Sequence, residues 1–329
     1  MIGLGTQNGL FALVSAELHE VEDRLHPPPD TNGHLLGAVA RHALGSGGKR
    51  IRPALLLLAA RACGGGERER AVTLASVAEM MHAATLIHDD IVDHAGMRRG
   101  RPSAKALWGA DVSVLVGDFL FSRAIQTLVA DGDMHVLRAF ADATVRMTEG
   151  EILQLERLRD LDIGEADYFR ILTGKTAALM SATCRVGALV AGAAPPWVEA
   201  LAAFGMDLGI GFQLVDDALD YTARPERLGK PVASDFREGK VTYPLIHVMR
   251  RASPEDRGDL EALSRREALD DGDVALVRRL VERYEAVPAT MRLVNESLGR
   301  ALDSLRVVPS SAAREALERV VEFVRDRDW

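Results

Sequence analysis

Cysteine is scarce, with only Cys63 and Cys184 in 329 residues. Two thiols build neither a disulfide framework nor a cysteine-rich zinc site, and a reducing cytoplasm is the expected location. Aromatics are only 5% of the chain, with three Trp, four Tyr and nine Phe. That is too few to line a pocket with π-faces, and with plentiful Ala and Leu it favours helix over sheet. Alternation at period two is missing, so no substantial sheet is expected. Basic residues are in deficit, 40 against 48 acidic, for a net charge of −8. Nothing here suggests a nucleic acid held by bulk charge. The first sixteen residues carry no Lys or Arg, so the positive n-region of a signal peptide is missing. The uncharged stretch 186–198 is too short to span a bilayer and is interrupted by Gly192, Pro195 and Pro196. A membrane-spanning chain is not expected, and peripheral contact is the most that composition allows.

What the chain does have is helical periodicity almost throughout. Val72, Leu74, Ala75, Val77, Ala78, Met81, Ala84 and Thr85 follow a 3.6-residue spacing that continues into Ile87, Ile91 and Val92. Similar runs predict helices over about 9–25, 33–44, 52–62, 111–131, 135–158, 165–192 and 197–223. Shorter ones are expected near 242–251, 255–265, 272–285, 287–305 and 311–327. Turn chemistry separates them, as at Pro27-Pro28-Pro29-Asp30, Gly64-Gly65-Gly66 and Pro195-Pro196. No long linker divides the chain, which reads as one all-α helical bundle over 1–329, with a variable helix and loop before about residue 32. The irregular stretch 224–240 has the length of a functional loop. The segment 165–192 is apolar on all faces, with Lys175 and Arg185 as its main charged interruptions, and belongs inside the bundle.

Two acidic clusters stand out. Asp89-Asp90-Ile91-Val92-Asp93 and Asp216-Asp217-Ala218-Leu219-Asp220 are both D-D-x-x-D, and both end long apolar helices. The outer aspartates of each stand at i and i+4, on one face and roughly 6 Å apart along the axis. Such charges repel one another and need neutralising. Mg²⁺ suits them, because it prefers oxygen and is held by one or two carboxylates plus substrate phosphates. One such motif alone reads first as a solvated acidic helix end; two copies turn the balance to a metal–diphosphate site.

Cations supply the other half. Gly47-Gly48-Lys49-Arg50-Ile51-Arg52-Pro53 puts Lys49 and Arg52 three apart, on what reads as one helical face beside flexible glycines. Arg98-Arg99-Gly100-Arg101 follows the first acidic cluster, and Lys230 and Lys240 flank the irregular loop. Singly these are surface cations; Lys175, on an apolar helix, is the exception and demands a partner. His82 lies seven residues before Asp89 and shares its helix face, as either a satisfied core histidine or a ligand-binding one. Gln213 lies four before Asp217.

In combination these motifs resemble the trans-isoprenyl diphosphate synthases, specifically the long-chain polyprenyl diphosphate synthases of the octaprenyl and decaprenyl type. The resemblance runs from about residue 35 onward. It is carried by the Gly47–Pro53 and Leu86–Asp93 blocks, Met97-Arg98-Arg99-Gly100, Val116-Gly117-Asp118, Glu149-Gly150-Glu151, Gly174-Lys175-Thr176-Ala177, Gly211–Asp217 and Leu228-Gly229-Lys230. It implies a helical bundle of the isoprenoid synthase type with a central cavity, and a homodimer. It implies that Asp89, Asp93, Asp216 and Asp220 coordinate Mg²⁺, about three ions per substrate-loaded site, with Asp90, Asp217 and Lys175 also in the catalytic set. Arg98, Lys175, Thr176, Gln213 and Lys230 would bind the allylic diphosphate primer, farnesyl or geranyl. Lys49, Arg52, His82 and Arg99 would bind isopentenyl diphosphate. Many relatives carry paired acidic residues where this chain has Ala233-Ser234-Asp235, so a metal contact from position 234 is not expected.

The implied reaction is Mg²⁺-dependent head-to-tail condensation by ionisation, condensation and elimination, serving quinone side chains. Product length would be set below the first cluster, by Met81, Ala84 and Thr85. A small residue at Ala84 leaves the tunnel open, which points to about C40–C50 rather than a farnesyl or geranylgeranyl product. A terpene cyclase is disfavoured by the few aromatics. A non-catalytic subunit of a heteromeric synthase would be expected to lack one acidic cluster, and a di-iron bundle would need Glu-x-x-His motifs on two facing helices, whereas only Glu79-Met80-Met81-His82 has that spacing.

Overall fold

The computed structural model describes residues 9–25, 34–45, 49–98, 100–222, 232–266 and 268–327. The described residues are helical almost throughout, in two compact units. One comprises Met1–Asp142, Leu179–Gly205 and Ser304–Val320; the other comprises Ala143–Ala178, Met206–Asp303 and Val321–Trp329.

The first unit is built on α1 (Ser15–Leu25), α2 (His34–Leu44), α3 (Ile51–Ala62), α4 (Arg68–Val92) and α5 (Ala104–Asp131). Helix α3 is apolar all round, and nearly every residue on it is buried. Its start departs from the sequence reading: the helix begins at Ile51, so Lys49 lies outside it, not on a shared face with Arg52. The reason is Arg50, held in the left-handed region at φ 47°. Its buried guanidinium reaches Glu22, Glu79 (2.5 Å) and the Leu44 carbonyl (2.6 Å), tying α1, α2 and α4 to the start of α3. The expected helix 111–131 begins earlier, at Ala104. Gly109, at φ 84° and ψ 169°, breaks it, a conformation that glycine adopts without strain. Between α4 and α5 the chain forms a small antiparallel ribbon, β1 (Met97–Arg98) and β2 (Arg101–Pro102).

The second unit holds the later part of α6 (Met134–Glu156), then α7 (Glu165–Leu172), a π-helical turn over Thr173–Ala177, and the later part of α9 (Pro195–Thr222). The expected single helix 165–192 thus runs through a π turn into α8 (Ala178–Val190). Extra residues in a helical turn often mark functional positions, and this turn is Thr-Gly-Lys-Thr-Ala. It is packed tightly: a Cβ on Gly174 would meet the Arg146 carbonyl at 2.6 Å, and one on Gly209 would meet Ala177 at 2.5 Å. The remaining helices are α10 (Ser234–Arg237), α11 (Tyr243–Met249), α12 (Pro254–Ser264), α13 (Asp271–Arg283), α14 (Ala286–Leu305) and α15 (Ala312–Arg325). Helices α5 and α9 are each long and apolar enough to cross a membrane by length and composition alone. The most apolar stretch of α9 is 61% buried, as in a core helix, against 33% for α5.

Candidate active site

Both acidic clusters sit at helix C-termini. Helix α4 ends at Val92 with Asp93 as its cap, and Asp216, Asp217 and Asp220 occupy the last turns of α9. A helix C-terminus already carries partial negative charge, so carboxylates there oppose the helix dipole. Helix stability alone would not select either placement.

At the end of α4 the three aspartates have different surroundings. Asp90 is buried and accepts a 2.6 Å hydrogen bond from Arg98 Nε on the ribbon. Burial pushes its carboxyl up, and Arg98 works against that shift. Asp89 and Asp93 remain partly exposed. Ser103 holds the ribbon's base, donating to the Ala95 carbonyl at 2.7 Å while capping α5. Helix α5 comes close beside His88, where a Cβ on Gly117 would fall 2.3 Å from the imidazole. One to two turns back along α4, Met81 and Ala84 are buried and Thr85 bonds to the His82 carbonyl. Lys49, Arg52 and His82 are half-buried in the same unit.

At the end of α9 a hydrogen-bonded chain links the candidates. Thr176 Oγ1 donates to Gln213 Oε1 (2.8 Å), Gln213 Nε2 donates to Asp217 Oδ1 (2.9 Å), and the Tyr168 hydroxyl donates to Asp217 Oδ2 (2.5 Å). Lys175 has the partners its setting demands: Glu151 at 2.5 Å and Gln154 at 3.0 Å. Asp220 is fully buried and accepts from Ser234 Oγ (2.7 Å) and the Asp235 amide (3.1 Å), fixing the start of α10. Asp216 pairs with Arg327 at 3.0 Å. Arg99 and Lys230 lie outside the described residues.

Comparison with known proteins decides what these features belong to. Residues 34–281 match the family model described as polyprenyl synthetase. The all-trans-nonaprenyl-diphosphate synthase of Rhodobacter capsulatus is 40% identical over 295 residues, 89% of each chain. The polyprenyl synthase of Caulobacter crescentus, solved with calcium and isoprenyl diphosphate, superposes with a TM-score of 0.92 at 37% identity over 99% of both chains. The chain belongs to the polyprenyl synthetase family. It is a prenyltransferase with the all-α helical bundle fold of the isoprenoid synthases. Similarity spans product classes, since a short-chain isoprenyl diphosphate synthase of Methanothermobacter thermautotrophicus is 36% identical over 91% of this chain and 92% of its own.

Among the described residues no three His, Cys, Asp or Glu side chains converge into a metal cage. The donor set still fits Mg²⁺, which takes one or two carboxylates and completes its shell with water and phosphate oxygen. Asp89 with Asp93, and Asp216, offer part-exposed carboxylates of that kind. Asp220 is buried and already accepts hydrogen bonds from Ser234 and the Asp235 amide, so fewer of its lone pairs remain. The middle aspartates, Asp90 and Asp217, turn to protein partners. Charge repulsion within the clusters is thus relieved partly by the polyprenyl synthetase chain itself.

Sequence reasoning missed three residues around the second acidic cluster and one at the start of α3. Tyr168 and Arg327 reach α9 from distant segments, Ser234 was read only as a missing acid, and Arg50 was passed over between Lys49 and Arg52. Burial raises the Asp217 carboxyl to about 8. Its unfolded value is about 4, so it contributes stability that is full below that pH and lost as pH rises towards 8. We expect urea unfolding to find the chain less stable at about pH 8.5 than at about pH 5.5, and Asp217→Asn to flatten that slope. An equal slope in the mutant would place its origin elsewhere.

Proposed function

We propose that this prenyltransferase condenses isopentenyl diphosphate head-to-tail onto an allylic diphosphate, with farnesyl or geranyl diphosphate as primer. The product is an all-trans chain of about C40–C50, made for a quinone side chain, because Ala84 is too small to floor the helix face below Asp89. The reading is carried by the hydrogen-bonded chain of Thr176, Gln213 and Asp217, with Lys175 beside Thr176 on the π turn. It gathers cation and hydrogen-bond donors beside a carboxylate end that the helix dipole disfavours.

Asp89 and Asp93, and Asp216 with Asp220, would hold Mg²⁺. Bound there, it supplies positive charge to a departing diphosphate. Arg98, Lys175, Thr176, Gln213 and Lys230 would orient the allylic diphosphate. Their fixed donors stabilise the charge that collects on oxygen as the C–O bond breaks heterolytically. Lys49, Arg52, His82 and Arg99 would hold the diphosphate of isopentenyl diphosphate, so that its alkene attacks the allylic cation. The proton then leaves to the departing diphosphate, and no protein base is needed. Arg98 also fixes Asp90, so its own position is set before substrate arrives.

A homodimer is part of the same proposal. Val114, Leu115 and Val129 on α5 are exposed, Leu115 at 67%. Monomers seldom leave such an apolar stripe bare, and a second copy would cover it. Release of a long lipid product involves peripheral membrane contact at most, and the cytoplasm is the setting proposed.

Incubation with farnesyl diphosphate and radiolabelled isopentenyl diphosphate should yield chromatographically resolved polyprenyl products. Asp89→Asn should lower turnover by about 100-fold or more. No incorporation by the chain alone would favour a subunit of a heteromeric synthase, and a C15 or C20 product would favour a short-chain enzyme. Ala84→Phe should shorten the product by several isoprene units; an unchanged distribution removes the tunnel account. Leu115→Glu should shift the chain from dimer to monomer in light scattering, and a wild-type monomer would refute the dimer.

A further inference from the structure

The last described residue, Arg327, lies two positions beyond the end of α15 and is folded onto α9 in the second unit. Its guanidinium stacks 4.3 Å from the centroid of the Phe212 ring. Its Nη1 lies 3.0 Å from Asp216 Oδ1. Phe212 and Asp216 are four residues apart on α9, so one guanidinium spans a single face of that helix. Only 8% of the Arg327 side chain is exposed, against 36% for Asp216. A segment two residues past its helix does not need a buried charge in order to pack, and burying one is unfavourable without compensation. Here the compensation is the aromatic face and the charge of the carboxylate together.

Asp216 is also the part-exposed carboxylate of the second cluster. Asp217 is taken by Tyr168 and Gln213, and Asp220 by Ser234 and the Asp235 amide. A divalent ion needs to sit about 2.1 Å from a carboxylate oxygen. A guanidinium at hydrogen-bond distance from the same carboxylate repels that ion at short range in a weakly screened setting.

We propose that Arg327 is an internal competitor for the divalent cation at Asp216, a C-terminal counter-charge that metal loading must displace. This rests on the reading that Asp216 is a metal ligand. The pair holds the carboxylate oriented while no ion is bound, and it raises the metal concentration needed to load this side of the site. Tethering of the C-terminal segment alone makes the opposite prediction, because loosening a tether does not tighten metal binding.

The test is titration of the full chain with Mn²⁺, without diphosphate, following free Mn²⁺ by electron paramagnetic resonance. Arg327→Gln should tighten the Mn²⁺ sites that include Asp216 about fivefold, the scale of one partly exposed ion pair. Arg327→Met, which keeps the contact with Phe212, should do the same, and Arg327→Lys should stay near wild type. Arg325→Gln removes a cation from the exposed end of α15 and should change nothing. Unchanged or weaker binding in Arg327→Gln and Arg327→Met overturns the proposal, as does an equal gain in Arg325→Gln. Asp216→Asn separates the two levels. If it leaves Mn²⁺ binding at the wild-type level, the reading of Asp216 as a ligand fails. If it weakens binding while the Arg327 variants behave as wild type, only the competitor fails.

Discussion

Carboxylates gathered at the C-terminal ends of two apolar helices are the constraint from which the rest of the site follows. The helix dipole and mutual repulsion both oppose them. The structure answers each aspartate separately, with a partner from another element. Asp90 has Arg98 from the ribbon, Asp217 has Tyr168 from α7 and Gln213 from its own helix, and Asp220 has the start of α10. The two D-D-x-x-D motifs, identical in spacing, consequently differ in state. At the end of α4 only the middle aspartate is buried; at the end of α9 the middle and last ones both are. The first end keeps its outer pair part-exposed, whereas the second has one part-exposed carboxylate already opposed by a guanidinium.

The π turn at Thr173–Ala177 shows the same economy on the cationic side. A lysine in a buried helix needs both a counter-charge and a reason to be there. Glu151 and Gln154 on α6 supply the first. The turn itself supplies the second, because the extra residue rotates Lys175 and Thr176 relative to the apolar face that precedes them. Backbone approaches this close require glycine at 174 and 209. From about residue 176 onward the apolar segment that sequence periodicity places inside the bundle is mostly buried, and the polar interruption within it is where its helical geometry changes.

Local and periodic features were legible in the chain. The 3.6-residue pattern located nearly every helix, and the two acidic motifs with the Lys-Thr and Gln positions near them were visible as spacing. What escaped came from contacts between segments far apart in sequence. Tyr168 reaches Asp217 across 49 residues, and no spacing rule ties it, or Arg327, to an aspartate. Arg50 escaped differently. Its neighbours Lys49 and Arg52 looked like the functional pair on one helical face, yet Arg50 is what ends that face, by taking a left-handed backbone and anchoring to Glu22, Glu79 and Leu44. Ser234 was read as a missing acid, whereas a hydroxyl there can donate to Asp220 as a carboxylate could not.

Helices α5 and α9 carry the same limit one level up. They have the same length and equal mean hydropathy, so composition gives no ground for treating them differently. Their burial within one chain does differ. An apolar helix is satisfied by neighbours, and hydropathy does not record whose neighbours they are. For α9 they are its own chain. For α5 the exposed Val114, Leu115 and Val129 leave part of that surface bare in the isolated chain, the part that the proposed second copy would cover. The same helix backs His88 through Gly117, next to the aspartates of α4. A contact that covers α5 therefore bears directly on the wall carrying the first acidic cluster, so assembly and the geometry of that cluster are linked through a single helix.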